Sequence, residues 1–353
     1  MTIPYAPLAR RIAALVLAVA TVMLPGQVMA SPMAVCATVP GLGGLSREIG
    51  GDRVSVTVFA KATEDPHFAP ARPSYVKALS KCAALVLKGL DLEVGWLPVL
   101  LRSSRNLQVQ PGQRGYIDAS VVIRPLEIPQ LTITRAMGDV HPFGNPHYLV
   151  DPLNGVLVAR LLRNRFSDLL PADRAYFNER LAAFEQRMFT GLVGPSLAAT
   201  YGADVEKLAR LHEQNKLVPF LESQGQADQL GGWLGAIAPH FGTRYVDDHR
   251  MWRYFSTRFG LVYTTSLEPV PGIAPSTKHL QHVVEMIGVE KVPVVLTSAY
   301  YDPRHARFIA KNTSAKVLRM ANQMSARPDT DDYFAMSDYN VRQVVDALAS
   351  SRP

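Results

Sequence analysis

Three histidines in this chain lie next to turn-forming or acidic residues, at points where the local pattern changes. His67 ends the segment DPH (65–67), His147 ends GNPH (144–147) and His249 ends DDH (247–249). Imidazole nitrogens are good ligands for zinc and its neighbours, and three histidines with one open position are a common zinc arrangement. The three residues are therefore candidate metal ligands, although spacing alone favours three unrelated histidines.

Strand and helix patterns alternate on both sides of these residues. Strands are predicted at 33–38, 54–58, 83–87, 243–247, 262–265, 292–297 and 315–320, with helices at 42–49, 74–80, 250–259 and 338–349. Such alternation indicates βαβ units, and hence an α/β fold with two (βα) lobes and mainly parallel sheets. His67 and His249 follow predicted strands, where open α/β sheets place their ligands.

The middle of the chain is predicted to be helical. The pair Asp151-Pro152 is a strong helix start, and a second start lies at 171–173. From there, apolar residues recur at spacings of four, three and four: Phe177, Leu181, Phe184 and Met188. This amphipathic pattern predicts a linking helix at 171–195, between an N-terminal lobe at 31–170 and a C-terminal lobe at 196–353.

The first thirty residues have the pattern of an export signal. Arg10 and Arg11 precede an apolar run at 12–24, and VMA (28–30) forms a small-residue cleavage site. We therefore expect a signal peptide at 1–30 and a soluble, periplasmic mature protein. Valine precedes Cys36, which disfavours a lipoprotein signal. Cys36 and Cys82 are either a disulfide or two buried free thiols, and the sequence leaves both open.

Composition and cysteine spacing argue against nucleic-acid binding and against a cysteine-based zinc site. The formal charge of +7 includes the two signal arginines, so the mature chain is near +5 (7 − 2). No basic cluster with interleaved aromatic residues is present, which gives nucleic-acid binding no support. A cysteine-based zinc site is excluded because two cysteines this far apart lack the paired spacing.

Five segments resemble, in sequence and in order, the motifs of one protein family. They are DPH (65–67), LSKCAALVLKGLDLE (79–93) followed by Trp96, GNPHYLVDP (144–152), HRMWRYFSTRFGL (249–261) and EPVPGIAPS (268–276). The family is that of the metal-binding solute receptors of ABC importers for zinc and manganese. The resemblance runs from about residue 33 to residue 345.

The resemblance implies two (βα) lobes joined by a long rigid helix, with the metal site between the lobes. The family's three histidine ligands map onto His67, His147 and His249. Manganese receptors tend to carry a carboxylate at the third position, so His249 favours Zn²⁺ as the transported ion. This agrees with the preference of manganese for oxygen ligands. The implied function is a high-affinity periplasmic zinc receptor, not an enzyme. Its partners would be the membrane permease of an ABC importer and a periplasmic zinc chaperone, with the receptor itself a monomer.

The chain departs from the family at the fourth ligand. Many members supply a carboxylate after the strand that ends near residue 320, where this chain reads ANQ (321–323). The remaining candidates are water, Glu64, Asp302 and the Asp329–Asp332 loop. The long histidine-rich loop of some zinc receptors is missing, and the histidine-free segment 123–140 occupies its place. His141, which follows this segment, is interpreted as an exposed loop histidine, with a metal-shuttling role as the alternative.

Each ligating imidazole also needs an acceptor for its second ring nitrogen. Glu64, Asp247 and Asp248 are candidates because they are close in sequence to the histidines. Three rival functions remain open: a manganese or iron receptor on the same fold, a zinc-dependent hydrolase, and a non-metal binding or adhesion role. The hydrolase lacks a general base within a motif such as HExxH.

Overall fold

The computed structural model describes residues 31–130 and 140–350, and the signal peptide expected at 1–30 lies outside these ranges. Eight strands form two four-stranded sheets: β1 (Met33–Ala37), β2 (Val54–Val58), β3 (Ala84–Leu87), β4 (Tyr116–Asp118), β5 (Arg244–Asp247), β6 (Val262–Ser266), β7 (Val294–Thr297) and β8 (Lys316–Arg319). The sheet orders are β2-β1-β3-β4 and β6-β5-β7-β8, and every pair is parallel. The prediction of two parallel-sheet α/β lobes is confirmed.

Helices connect and cover these strands. They are α1 (Pro40–Gly50), α2 (Pro73–Leu79), α3 (Leu97–Ser104), α4 (Pro152–Leu169), α5 (Arg174–Val193), α6 (Pro195–Tyr201), α7 (Val205–Glu213), α8 (Leu217–Ser223), α9 (Gly232–Ile237), α10 (Arg253–Phe259), α11 (Thr277–Glu290), α12 (Pro303–Asn312) and α13 (Tyr333–Ala349). Among the described residues, no helix has both the length and the apolar character needed to span a bilayer.

The two central helices begin where the sequence signals place them. Asp151 caps α4 by accepting the backbone N–H of Leu153, and Pro152 occupies the first helical position. Residues 171–173 form a short 3₁₀ turn that leads into α5. The predicted apolar stripe of α5 is buried in full, as expected for a helix with one face towards the core.

Helix α5 lies between the two halves of the chain. It packs against α1 and α4 from the N-terminal half and against α6 and α9 from the C-terminal half. One continuous core contains side chains from both sheets, such as Val35 and Val86 together with Val294 and Leu296. The predicted linking helix at 171–195 thus contains α5, while the lobe boundaries themselves stay a prediction.

The two cysteines form a disulfide bond between Cys36 and Cys82. Cys36 lies in β1, and Cys82 follows α2 by three residues. Both side chains are buried in the smaller core of the N-terminal lobe. The disulfide therefore crosslinks the first strand to the turn that leads into β3.

A buried ion pair ties the start of α4 to the C-terminal half. The Arg258 guanidinium, on α10, donates to both carboxylate oxygens of Asp151 at 2.9 Å. Arg258 also pairs with Glu213 of α7. The Tyr333 hydroxyl, at the start of α13, lies within hydrogen-bond distance of the carbonyl oxygens of Leu149 and Asp151. These contacts anchor the segment that carries His147 against two helices of the other half.

Candidate metal centre

The three histidines predicted from the sequence converge on one point. One ring nitrogen from each of His67, His147 and His249 lies within 4.8 Å of the other two. The ring centroids are 5.2, 5.9 and 5.3 Å apart. All three side chains are buried. Among the described residues, this is the group of His, Cys, Asp or Glu side chains close enough to share a metal ion.

His67 is held by the loop that follows β2. The Asp65 carboxylate caps the short turn by accepting the backbone N–H of His67 at 3.0 Å. The same oxygen, Oδ1, lies 2.6 Å from the Nδ1 atom of the His67 ring. The Trp96 indole donates to the Pro66 carbonyl oxygen at 2.9 Å, which fixes the loop against α3.

His147 is positioned by a turn that requires glycine. Gly144 has a φ of +106°, and a Cβ atom there would lie 2.8 Å from the Leu126 carbonyl oxygen, so other residues are disfavoured. The buried Asn145 side chain then accepts the His147 N–H at 2.9 Å and donates to the Arg250 carbonyl oxygen at 2.6 Å. The GNPH segment is thereby bonded to the segment that contains His249.

His249 follows the carboxyl end of β5. Asp248 accepts the backbone N–H of His249 and also the N–H of Ser298, which follows β7. The Glu268 carboxylate lies 2.8 Å from Nδ1 of the His249 ring and accepts the Gly272 N–H at 3.0 Å. The Tyr301 ring stacks on the imidazole with centroids 5.4 Å apart. The ring is thus held on its edge and on one face.

These contacts determine which ring nitrogen is free on each histidine. An ionised carboxylate only accepts hydrogen bonds, so Nδ1 of His67 and Nδ1 of His249 carry their protons towards Asp65 and Glu268. The Nε2 lone pairs of both rings are then available to a metal. The Nε2 atom of His147 is buried without a hydrogen-bond partner. A buried polar atom without a partner requires a reason, and a metal ligand provides one.

The acceptors predicted from the sequence for the second ring nitrogens, Glu64, Asp247 and Asp248, were wrong. Asp65 and Glu268 hold the ring nitrogens, whereas Asp247 accepts from Ser266 and Glu64 pairs with Arg72. Asp65 lies one residue from the predicted Glu64. Glu268 begins the EPVPGIAPS motif. Its pairing with His249 depends on the fold, because β5 and β6 lie side by side with their carboxyl ends at one edge.

Burial and neighbouring charges set the protonation states around the centre. Burial lowers the pKa of His147 well below its usual value, and the nearby His67 and His249 lower it further, so this ring stays neutral. Burial would raise the pKa of Asp65, but its hydrogen bonds and its attraction to His67 outweigh burial, and the pKa is lowered. Neutral imidazoles and ionised acceptors are the states that metal binding requires.

Four of the acids that the sequence offered as a fourth ligand, Glu64, Asp302, Asp331 and Asp332, bond to other residues. Asp302 caps α12 and pairs with Arg304, and Glu64 contacts Lys61 and Arg72. In the 329–332 loop, Asp331 bonds to Ser325 and Asp332 caps α13. None of these carboxylates belongs to the three-histidine group.

His141 was misjudged from the sequence as an exposed loop histidine. Its side chain is half-buried, and its Nε2 atom lies 3.0 Å from Nε2 of His67. Together with His147 and His249 it also lines a cavity of about 60 Å³. No motif marks His141, because the residues before it follow no recognisable pattern.

Lys88 is a second residue that the sequence analysis missed. Its side chain is buried at the end of β3, with the ammonium 4.7 Å from the Tyr148 ring centroid. Burial lowers the pKa of Lys88 to about 7, although the buried Glu93 nearby acts in the opposite direction. The Glu93 carboxylate accepts from the Thr38 hydroxyl and from two backbone N–H groups. A buried amino group that titrates near neutral pH therefore lies next to the residue that follows His147.

Comparison with known families gives one match over most of the chain. The family model of the periplasmic zinc-uptake complex component A, ZnuA, matches residues 35–190 and 222–347. The match includes the segments that carry His67, His147 and His249.

Relatives and solved structures cover similar lengths. A metal ABC transporter substrate-binding lipoprotein, ScbA of Streptococcus cristatus, is 20% identical over 325 residues, 90% of each chain. The manganese ABC transporter substrate-binding lipoprotein scaA of Streptococcus gordonii is 21% identical over 323 residues, again 90% of each. A crystal structure of ZnuA aligns with a TM-score of 0.63 at 22% identity, covering 90% of this chain and 98% of that chain. A manganese-bound periplasmic metal-binding protein from Candidatus Liberibacter asiaticus aligns with a TM-score of 0.61 at 16% identity, covering 90% and 99%.

Proposed function

Because the chain belongs to the family of the periplasmic zinc-uptake complex component A, ZnuA, we propose that it binds a zinc ion on His67, His147 and His249. It then delivers the ion to the membrane permease of an ABC importer. The protein is a metal receptor that the signal peptide at 1–30 sends to the periplasm. The disulfide between Cys36 and Cys82 fits that oxidising compartment.

The observation that carries this proposal is the convergence of three buried ring nitrogens. A tetrahedral zinc ion with Zn–N bonds of about 2.0–2.1 Å places its ligand atoms roughly 3.4 Å apart. The three nitrogens lie within 4.8 Å of one another without an ion. Side-chain rotations that bring each nitrogen less than about 1 Å inwards complete the site.

Ligand chemistry favours zinc over manganese. The three ligand atoms are imidazole nitrogens. The carboxylates that contact two of these rings, Asp65 and Glu268, bond to the outer Nδ1 nitrogens rather than pointing at the centre. Manganese prefers carboxylate, carbonyl and water oxygens. The relatives named for manganese make this the principal rival, and metal competition separates the two.

A hydrolase is disfavoured by the same contacts. A zinc hydrolase needs a general base that can take a proton from the metal-bound water. Asp65 and Glu268 are each bonded to a ring nitrogen of a ligand, which fits them to orient His67 and His249 instead.

Zinc and manganese binding to the apoprotein tests the proposal. We expect one zinc ion per chain and no displacement by equimolar manganese. His67→Ala, His147→Ala and His249→Ala should each weaken zinc binding by more than about 100-fold, because losing a ligand costs more than losing an outer-shell partner. His282→Ala is the control, since its side chain is 64% exposed on α11. Displacement of zinc by manganese would refute the metal assignment, and wild-type affinity in all three variants would refute the site.

Delivery to the permease is tested in reconstituted membranes. Zinc uptake by vesicles that contain the importer should depend on the zinc-loaded receptor, and His147→Ala should abolish it. We expect the receptor to act as a monomer, with a periplasmic zinc chaperone as a further partner. Uptake that continues unchanged without the receptor would contradict a delivery role.

A further inference from the structure

We propose that His141 is the fourth zinc ligand, so that this chain completes its metal site with a fourth imidazole in place of a carboxylate. The inference rests on the proposed function and adds the residue that sets the choice of metal. Three independent observations carry it: a ring contact, a shared cavity and a tethered turn.

The first observation is the distance between two ring nitrogens. Nε2 of His141 lies 3.0 Å from Nε2 of His67, and the rings stack at a centroid distance of 5.1 Å. Two ligands of a tetrahedral zinc ion with bonds of about 2.0–2.1 Å lie roughly 3.4 Å apart. An increase of less than about half an ångström in this separation therefore admits the ion between the two nitrogens. His141 must also approach His147 and His249, because it lies outside the group whose ligand atoms are all within 4.8 Å of one another.

The second observation is the cavity of about 60 Å³ beside the histidines. His141, His147 and His249 all line it. A cavity of this size is large enough to hold an ion or a water molecule. His141 is thus in contact with one ligand and shares a cavity with the other two.

The third observation is the turn that carries His141. The Gly144 N–H donates to the His141 carbonyl oxygen at 3.3 Å, which closes a four-residue turn directly before the GNPH segment. Gly144 is the residue whose positive φ orients that segment. The backbone that places His147 at the centre therefore also determines where His141 lies.

The tautomers are compatible with this role. His67 carries its proton on Nδ1, facing Asp65, so its Nε2 atom accepts and the Nε2–H of neutral His141 donates. When zinc binds, the ion replaces that shared proton, which moves to Nδ1 of His141. No net proton is released at this ring, and no charge is added to the ligand set.

Glu127 is the other candidate side chain at this cavity. Its carboxylate accepts from the Asn145 amide at 2.9 Å and pairs with the Arg253 guanidinium at 3.1 Å. Ligation by Glu127 would break both contacts and release the Asn145 side chain that holds His147. His141 has no such competing contact with a carboxylate or guanidinium among the described bonds.

Cadmium-113 NMR of protein labelled with nitrogen-15 in its histidine rings counts the ligands directly. Each bound ring nitrogen splits the cadmium signal, so four histidines give a quintet and three give a quartet. We expect a quintet for the wild type and for His282→Ala, and a quartet for His141→Ala. A quartet in the wild type overturns this inference and leaves the proposed function standing. A signal with no splitting overturns both.

Metal selectivity gives a second readout. We expect His141→Ala to weaken zinc binding by about 10- to 100-fold or more, since even outer-shell losses cost that much, and to leave manganese binding nearly unchanged. His141→Asp places a carboxylate at this position and should lower the ratio of zinc affinity to manganese affinity. Both variants change a half-buried loop residue and retain the three-histidine group, which the NMR signal verifies. Unchanged selectivity in both variants overturns the inference.

Discussion

Glu268 is expected to strengthen zinc binding without touching the ion. Its carboxylate contacts Nδ1 of His249, a ring that is buried and stacked on Tyr301. The change Glu268→Gln retains the shape and an acceptor oxygen for both His249 and Gly272, but it removes the negative charge. The variant therefore separates electrostatic stabilisation from orientation of the ring.

The size of the effect follows from the geometry. The 2.8 Å hydrogen bond, the width of the ring and a Zn–N bond of about 2 Å place the carboxylate oxygen roughly 6–7 Å from the ion. At an effective dielectric constant of about 20, a unit charge at that distance attracts a divalent ion by about 5 kcal/mol, which is an upper limit. Measured losses for outer-shell partners are about 10- to 100-fold, or roughly 1.4–2.7 kcal/mol. We expect the loss of zinc affinity in Glu268→Gln to fall in that range. Glu268→Ala also frees the His249 ring, so its loss of zinc affinity should be larger.

Competition with a chromophoric zinc chelator at neutral pH measures these affinities. Glu285→Gln is the matched control, since it makes the same change on a side chain that is 76% exposed on α11. The control should bind zinc as the wild type does. If Glu268→Gln also matched the wild type, the carboxylate would have no electrostatic role. If Glu268→Ala also bound zinc as tightly as the wild type, the hydrogen bond from Glu268 would not be needed to orient His249 as a ligand.

Two further predictions concern the fold around the site. Replacing both cysteines by alanine should lower the free energy of unfolding by about 4 kcal/mol, because the Cys36–Cys82 disulfide closes a loop with a sequence separation of 46. Urea denaturation measures this loss. A free energy of unfolding equal to that of the wild type within error would contradict the prediction. Burial lowers the pKa of Lys88 in the folded protein to about 7, whereas in the unfolded chain it is about 10.4. Between these two pH values the unfolded chain binds more protons than the folded protein. The free energy of unfolding therefore rises with pH, by at most about 1.4 kcal/mol per pH unit. Lys88→Met should flatten this rise in denaturation curves taken from about pH 7 to pH 9, and equal slopes in the two proteins would refute the argument.

The elements of the fold were largely readable from local patterns. The strand at 54–58 matches β2 residue for residue, and the helix start at Asp151 and Pro152 is the observed one. Predicted helix 250–259 begins at Arg253 instead, because the first residues after His249 form a turn that holds the ligand. The departure thus lies at the functional site, where a ligand position takes precedence over helix periodicity.

The sequence by itself determined the strand and helix alternation, the family and the three histidines, because each depends on short segments whose periodicity or motif is local. Only the tertiary structure decided which acids hold the imidazoles, that Cys36 joins Cys82, and that His141 reaches His67. These contacts link Glu268 to His249 across 19 residues and His141 to His67 across 74. Their partners meet because parallel strands bring their carboxyl ends to one edge and the loops beyond pack together there, and no local pattern encodes that packing.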